Sequence, residues 1–353
     1  MTHSANAYAN AGVNLDAADA AKRAMRDAIR STHGPQALGP MGGFGGLFAL
    51  DTAGLREPVL VSSIDGVGTK LKIAFALNRH ETVGADLVNH CINDILVCGA
   101  RPLFFLDYLA LGAMDADQAT AVVRGVAAAC REAGCALIGG ETAAMPGFYA
   151  PGEYDLAGCI VGLAERDKLV SGENIQVGDV VIGLPSLGLH TNGYSLARAV
   201  FADADLNAPV PELGRSLGDE LLQPHRSYLR EALPLVEAGL VAGMAHITGG
   251  GLVDNPPRVL PDGLAVRLDA ASWDIPPIFR LIQSQGNVAW SEMERVFNLG
   301  MGFLIFCRPD HEAQVLAGTA SAGGRRVGEV TSLASESVAR VVIEGIALAT
   351  RGT

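Results

Sequence analysis

An aspartate closes the apolar, β-branched run PVLVSSID (58–65), and Gly66-Val67-Gly68-Thr69-Lys70 follows it. A second aspartate, Asp94, stands beside Asn93 in NDILVCGARP (93–102), five residues before Gly99. Carboxylates supply the oxygen ligands a hard divalent cation requires. Glycines let backbone amides approach an anion closely, and a lysine meets phosphate charge. Asp65 and Asp94 are therefore expected to converge on magnesium, with Gly66, Gly68, Thr69 and Lys70 against the phosphates of ATP. The alternatives are a solvated Asp-Gly turn at Asp65 and a buried, turn-capping carboxylate at Asp94.

Other residues extend this chemistry. Glu141 leaves an apolar stretch behind Gly139-Gly140. It can act as a third metal ligand, as a substrate contact or as a base whose proton affinity apolar surroundings raise. In GPMGGFGGLF (39–48), Gly42, Gly43, Gly45 and Gly46 make either a loose loop or a flap that closes over phosphates. Farther on, GLHTNGYS (188–195) sets His190, Thr191 and Asn192 ahead of a helix whose amino end favours anions. An imidazole with an ordinary pKa near 6.5 suits proton transfer at neutral pH, so His190 is a catalytic or substrate-binding candidate. Gly249, Gly250 and Gly251 in HITGGGLVDN form a second anion cradle. The chain has no GxxxxGK[ST], no GxGxxG opening a helix and no kinase HRD or DFG set.

These residues need elements to hold them. Helical spacing covers about 16–32, the segment 81–100 and 117–132, with short apolar strands at 58–65, in PLFFLDYLAL, CALIGG and DLAGCIVGLA. A polar, glycine-bearing stretch near 168–178 precedes DVVIGLP, which divides the chain into domains at 1–170 and 171–353. The second half reads as a helix after 195, another over about 219–238, helices near 276–286 and 290–297, and strands near 302–307, 325–330 and 337–344. Residues 1–15, including Tyr8, read as an arm. The mixture of parallel and antiparallel possibilities predicts an α+β fold of two mixed α/β domains.

Bulk composition agrees with a packed enzyme. The 353 residues exceed what one core usually covers, and 49% hydrophobic with 18% charged content excludes a disordered chain. A net charge of -12 argues against nucleic acid as partner. The six cysteines, at 91, 98, 130, 135, 159 and 307, form no CxxC pair, so they read as buried thiols in a reducing compartment and not as a zinc site. Without a signal-peptide pattern or a bilayer-length apolar run, a cytoplasmic location and no membrane are expected.

Taken together, YANAGVNLDA, GGFGGLF, VSSIDGVGTKLKIA, VNHCINDILVCGARPLFFLDYLA, LIGGETAAMPGFY, GLHTNGYSLAR, HITGGGLVDNPPRVLP and VFNLGMG resemble the phosphoribosylformylglycinamidine cyclo-ligases, the aminoimidazole ribonucleotide synthetases of purine biosynthesis. Asp94 to Pro102 fits the signature of the wider superfamily, an aspartate, four residues and Gly-Ala-x-Pro. Ile64, where a small or hydroxylated residue is expected, is a minor departure. The resemblance implies a homodimer whose amino-terminal domains build a sheet or barrel across the two-fold, with a larger carboxyl-terminal α/β domain. It also implies ATP and Mg2+ as cofactors and formylglycinamidine ribonucleotide as substrate. ATP would phosphorylate the formyl amide oxygen, and the amidine nitrogen would then close the ring with loss of phosphate. Competing expectations are a selenophosphate or thiamine-phosphate type of ATP enzyme and a nucleotide-binding scaffold without turnover.

Overall fold

The computed structural model describes residues 15–40, 42–335 and 339–346. The expected arm around Tyr8 lies outside them. The chain forms two compact units, 1–92 with 102–163, and 93–101 with 164–353. The division between the units is not a single point in the chain. It lies partly inside the helix Val83–Leu96, whose last turn, carrying Asn93 and Asp94, belongs to the second unit.

In the first unit, β1 (Pro58–Gly66), β2 (Arg101–Leu111), β3 (Ala136–Ala144) and β4 (Tyr154–Glu165) form a sheet in the order β1-β4-β2-β3. Strands β2 and β3 run parallel, as a helical crossover between them requires. Four helices accompany the sheet: α1 (Leu15–Arg30), α2 (Leu71–Leu77), α3 (Val83–Leu96) and α4 (Ala116–Glu132). The crossover helix α4 starts where Asp115 accepts the amides of Asp117 and Gln118, an N-cap that satisfies two orphan donors. Its buried face includes Val122, Val123, Val126 and Cys130, and α1 packs against it with Ala21 and Met25 buried. Edge strand β1 alternates, leaving Leu60 and Ile64 exposed at 59% and 74%.

One carboxyl inside this unit has its proton affinity raised by burial. Burial raises Asp107 on β2 from 3.8 to about 7. Between those values the folded chain carries a proton that the unfolded chain has lost, so this contribution to stability declines as pH rises from about 4 through 7. Asp107→Asn is expected to flatten that decline. Thermal unfolding of both proteins at pH 5 and pH 8 checks it, and an unchanged pH slope would refute the assignment.

The second unit is built on a six-stranded sheet of β5 (Val180–Pro185), β6 (Gly243–His246), β7 (Leu264–Asp269), β8 (Met301–Cys307), β9 (Arg325–Ser332) and β10 (Val341–Glu344). The order is β6-β8-β5-β9-β7-β10, antiparallel except for the parallel β7–β10 pair. Val180, Ile182, Leu184, Met244, Phe303, Ile305 and Val315 are among its core residues, joined by Tyr228, Leu235 and Leu96. The helix expected over 219–238 is two helices, Leu217–Leu221 and Leu229–Glu237. Pro224 in the QPHRS connection removes an amide donor, and the connection delivers His225. The mixed α+β class expected from sequence holds.

All six cysteines are free thiols, and Cys91, Cys130, Cys135 and Cys307 are buried. Among the described residues no helix is long and apolar enough to cross a membrane.

Candidate functional site

The chemistry-bearing residues fall into two groups, one in each unit. In the first, β1 ends at Asp65, and the chain passes through a 3-10 turn, Gly68–Lys70, into α2. Asp65 Oδ1 accepts the Gly66 amide at 2.7 Å, and Oδ2 lies 2.8 Å from His90 Nε2. Its side chain remains 38% exposed, whereas His90 is buried. Gly68 has φ +69 with open space around it, so the turn is uncluttered at the backbone.

Lys70 is placed otherwise than a phosphate contact would be. Its Nζ is 2.8 Å from Asp86 Oδ1, and both side chains are fully buried. Burial is the main influence on this amine and lowers its pKa, while Asp86 opposes the shift. Asp86 lies in the first turn of α3, where the helix dipole favours a carboxylate. The pair thus fastens the GVGTK turn to the start of α3.

The glycine flap is the tip of a small hairpin. Ala37–Leu38 pairs with Leu47–Phe48 on either side of the flap glycines. A Cβ at Gly46 would lie 2.8 Å from the carbonyl oxygen of Ile138, so only glycine lets the flap meet β3 there. Glu141 lies farther along that strand and is exposed. Gly42, Gly43 and Gly45 are exposed, with Gly42 at φ +86.

The second group gathers around the carboxyl end of α3. Asn93 is fixed there by donating to the Arg226 carbonyl at 2.8 Å and accepting the Tyr228 amide at 3.0 Å. Beside it, Asp94 Oδ1 lies 2.8 Å from His246 Nδ1 at the end of β6. Asp94 keeps 29% of its side chain exposed. Each of the two acidic candidates is therefore oriented by a buried histidine at the same distance.

His246 was not singled out from the sequence, nor was His225. His225 Nε2 lies 2.9 Å from His246 Nε2, and His225 Nδ1 lies 3.2 Å from Thr191 Oγ1. His190 stacks on His225 with ring centroids 4.0 Å apart. It is wholly buried at φ +60, and its Nε2 accepts the Leu187 amide at 3.2 Å. Asn192 Oδ1 is 3.5 Å from where a Cβ of Gly249 would stand, which brings the GLHTNG and TGGG loops together. The Asn255 amide reaches the carbonyls of Gly249 and Gly251 at 3.3 and 2.8 Å and holds the second loop. Gly250 and Gly251 both have positive φ.

Two kinds of metal arrangement can be weighed. In the first unit Asp65 presents a partly exposed carboxylate and Glu141 an exposed one, and in the second Asp94 presents a partly exposed one, each an oxygen donor of the kind a hydrated magnesium ion takes. The ring nitrogens of His190, His225 and His246 lie within 4.8 Å of one another. Two imidazoles on one tetrahedral zinc would hold their nitrogens about 3.3 Å apart. The His225–His246 separation of 2.9 Å is that of a hydrogen bond instead.

The family model described as "AIR synthase related protein, N-terminal domain" matches residues 51–164, and its C-terminal counterpart matches 176–340. Over 303 residues the chain is 54% identical to a phosphoribosylformylglycinamidine cyclo-ligase of Desulfitobacterium hafniense (strain DSM 10664 / DCB-2), covering 86% of this chain and 89% of that protein. It is 47% identical over 341 residues to that of Trichlorobacter lovleyi, covering 95% and 98%. Among solved structures, a thiamine-monophosphate kinase from Stenotrophomonas maltophilia K279a aligns with TM-score 0.66 at 19% identity, covering 91% of this chain and 96% of that one. Hydrogenase maturation protein HypE in complex with ATP aligns with TM-score 0.65 at 20% identity, covering 92% and 91%. The two structures show a shared fold alone.

Proposed function

This chain belongs to the AIR synthase related family, and from that premise we propose that it is a phosphoribosylformylglycinamidine cyclo-ligase of purine biosynthesis. It takes formylglycinamidine ribonucleotide and ATP to aminoimidazole ribonucleotide, ADP and phosphate. The observation that carries this reading is the pair of partly exposed carboxylates, Asp65 and Asp94, each held by a buried histidine. Relatives about half identical over most of the chain support the same reading.

Asp65, Asp94 and Glu141 are the proposed magnesium ligands, and the ion would neutralise phosphate charge during phosphoryl transfer. Gly42, Gly43, Gly45 and Gly46, with Gly66, Gly68 and Thr69, supply backbone and hydroxyl contacts to the ATP phosphates. Thr191 and Asn192 orient the ribonucleotide, and the cradle of Gly249, Gly250 and Gly251 supports its phosphate. Lys70 and His190 are sealed from solvent, so positioning roles are assigned to them: Lys70 through Asp86, and His190 through its loop.

In the reaction, transfer of the terminal phosphoryl group to the formyl amide oxygen releases ADP and turns that oxygen into a leaving group. The amidine nitrogen attacks the same carbon. Phosphate departs with the C–O bonding electrons, and the nitrogen gives up its proton. Because both reacting ends belong to one molecule, holding it folded raises their effective concentration.

A homodimer is also proposed. Leu60 and Ile64 stand exposed on either side of Ser62 on the edge strand of the first sheet, a surface a second copy would cover.

Purified protein given formylglycinamidine ribonucleotide and MgATP is expected to form aminoimidazole ribonucleotide with one ADP per product. Turnover of thiamine monophosphate or a selenium donor in its place, or no ADP release with any of them, would overturn the assignment.

A further inference from the structure

Four side chains of the second unit form a continuous hydrogen-bonded line. Thr191 Oγ1 meets His225 Nδ1 at 3.2 Å, His225 Nε2 meets His246 Nε2 at 2.9 Å, and His246 Nδ1 meets Asp94 Oδ1 at 2.8 Å. The two imidazoles are 1% and 6% exposed, while the ends of the line are only part-buried.

With both imidazoles neutral, the charge at one end sets the proton at every link. An ionised carboxylate only accepts, so His246 donates from Nδ1. Neutral His246 then accepts at Nε2, which makes His225 the donor there. Neutral His225 in turn accepts at Nδ1, so the Thr191 hydroxyl donates. Turning any one group away costs its neighbour this hydrogen bond. Apolar side chains would fill the same space without desolvating two imidazoles. The line therefore has a use that packing alone does not supply.

We propose that His225 and His246 are positioning residues that couple the two ends. A cation held at Asp94 and a ribonucleotide held at Thr191 each order the shared imidazoles, so the second ligand meets a line already fixed. Each therefore tightens the other, by the same factor in both directions. This rests on the functional reading above, which takes Asp94 as a metal ligand and Thr191 as a substrate contact.

The test is calorimetric titration of magnesium with a methylene-bridged, non-hydrolysable ATP analogue, without and with saturating formylglycinamidine ribonucleotide. In the native protein the analogue is expected to bind about tenfold more tightly with the ribonucleotide present, and the reverse titration should give the same ratio. His225→Phe keeps a ring to stack on His190 but removes both nitrogens. Its ratio is expected to fall to about one while each ligand still binds alone. A residue with only a structural role would weaken each binding and leave the ratio intact. His225→Gln, which retains a donor and an acceptor, is expected to recover part of the coupling.

A second measurement needs no variant. In the native protein, ribonucleotide alone should shift the 15N resonances of the His246 ring, and the magnesium analogue alone those of His225. A ratio of one in the native protein, a tenfold ratio surviving in His225→Phe, or the absence of these cross-responses overturns the coupling. Native turnover with any of those results leaves the cyclo-ligase assignment standing, whereas loss of product formation in the native protein strikes that assignment instead.

Discussion

Asp86→Ala is expected to cost about 3–5 kcal/mol of stability, because it leaves the ammonium of Lys70 buried without the carboxylate 2.8 Å away. The magnitude follows from burial: both side chains are wholly inaccessible, whereas an exposed pair contributes only about 0–1 kcal/mol. A urea midpoint measured at constant m-value reads the loss. The variant should also respond to pH in a defined direction. Burial already depresses the lysine, and without Asp86 the depression deepens. The unfolded chain then binds more protons than the folded one below the ordinary lysine value of 10.5, so the variant gains stability as pH rises towards it. The deficit should therefore shrink between pH 7 and pH 10. A double replacement, Lys70→Met with Asp86→Leu, is expected to restore most of the loss, since an apolar pair avoids desolvation of both charges. If Asp86→Ala lost no more than an exposed pair, the interior placement of Lys70 would be refuted.

Much of the architecture was legible because periodicity writes it directly. The expected helix at 16–32 is Leu15–Arg30, the run 58–65 is β1, and the expected helix at 117–132 is α4. In each, long stretches of regular apolar spacing leave no competing element. The helix expected over 219–238 failed where Pro224 breaks the ladder, a local signal outweighed by the apolar residues on both sides. The strand Gly243–His246 was missed because four residues are too few for alternation to register. That omission also hid His246.

For the site, residue type was more readable than accessibility. Asp65 before Gly66 and Asp94 beside Asn93 stand out in the sequence, but nothing local tells that each faces a histidine. His90, 25 positions from Asp65, and His246, 152 from Asp94, meet them only through the fold. Lys70 and His190 carry the residue types that phosphate contact and proton transfer call for, yet both are sealed inside. Burial depends on elements distant in sequence: α3 brings Asp86 to Lys70, and the Pro224-containing connection brings His225 against His190. The one sequence hint for His225 was its place in QPHRS, a polar stretch bounded by apolar helices.

Asp94→Asn should reduce ADP release with formylglycinamidine ribonucleotide by about 10²–10³-fold, the loss typical of removing one preorganised electrostatic group from a reaction centre. Asparagine retains an oxygen that accepts the His246 Nδ1–H, so the 2.8 Å contact and the line beyond it survive while the negative charge is lost. Alanine would remove both at once and blur the two effects. Because Asp94 is partly exposed, the variant should unfold within about 0.5 kcal/mol of the native protein. The fall in rate then reports charge and not fold. If that charge serves to hold magnesium, raising the magnesium concentration should recover part of the rate, since weaker affinity is offset by mass action. Asp65→Asn should behave likewise, for its Oδ2 faces His90 as Asp94 faces His246. Full ADP release from Asp94→Asn at ordinary magnesium would remove this carboxylate from the chemistry. A lower rate that no magnesium concentration improves would leave it in the chemistry but take away its role as a metal ligand.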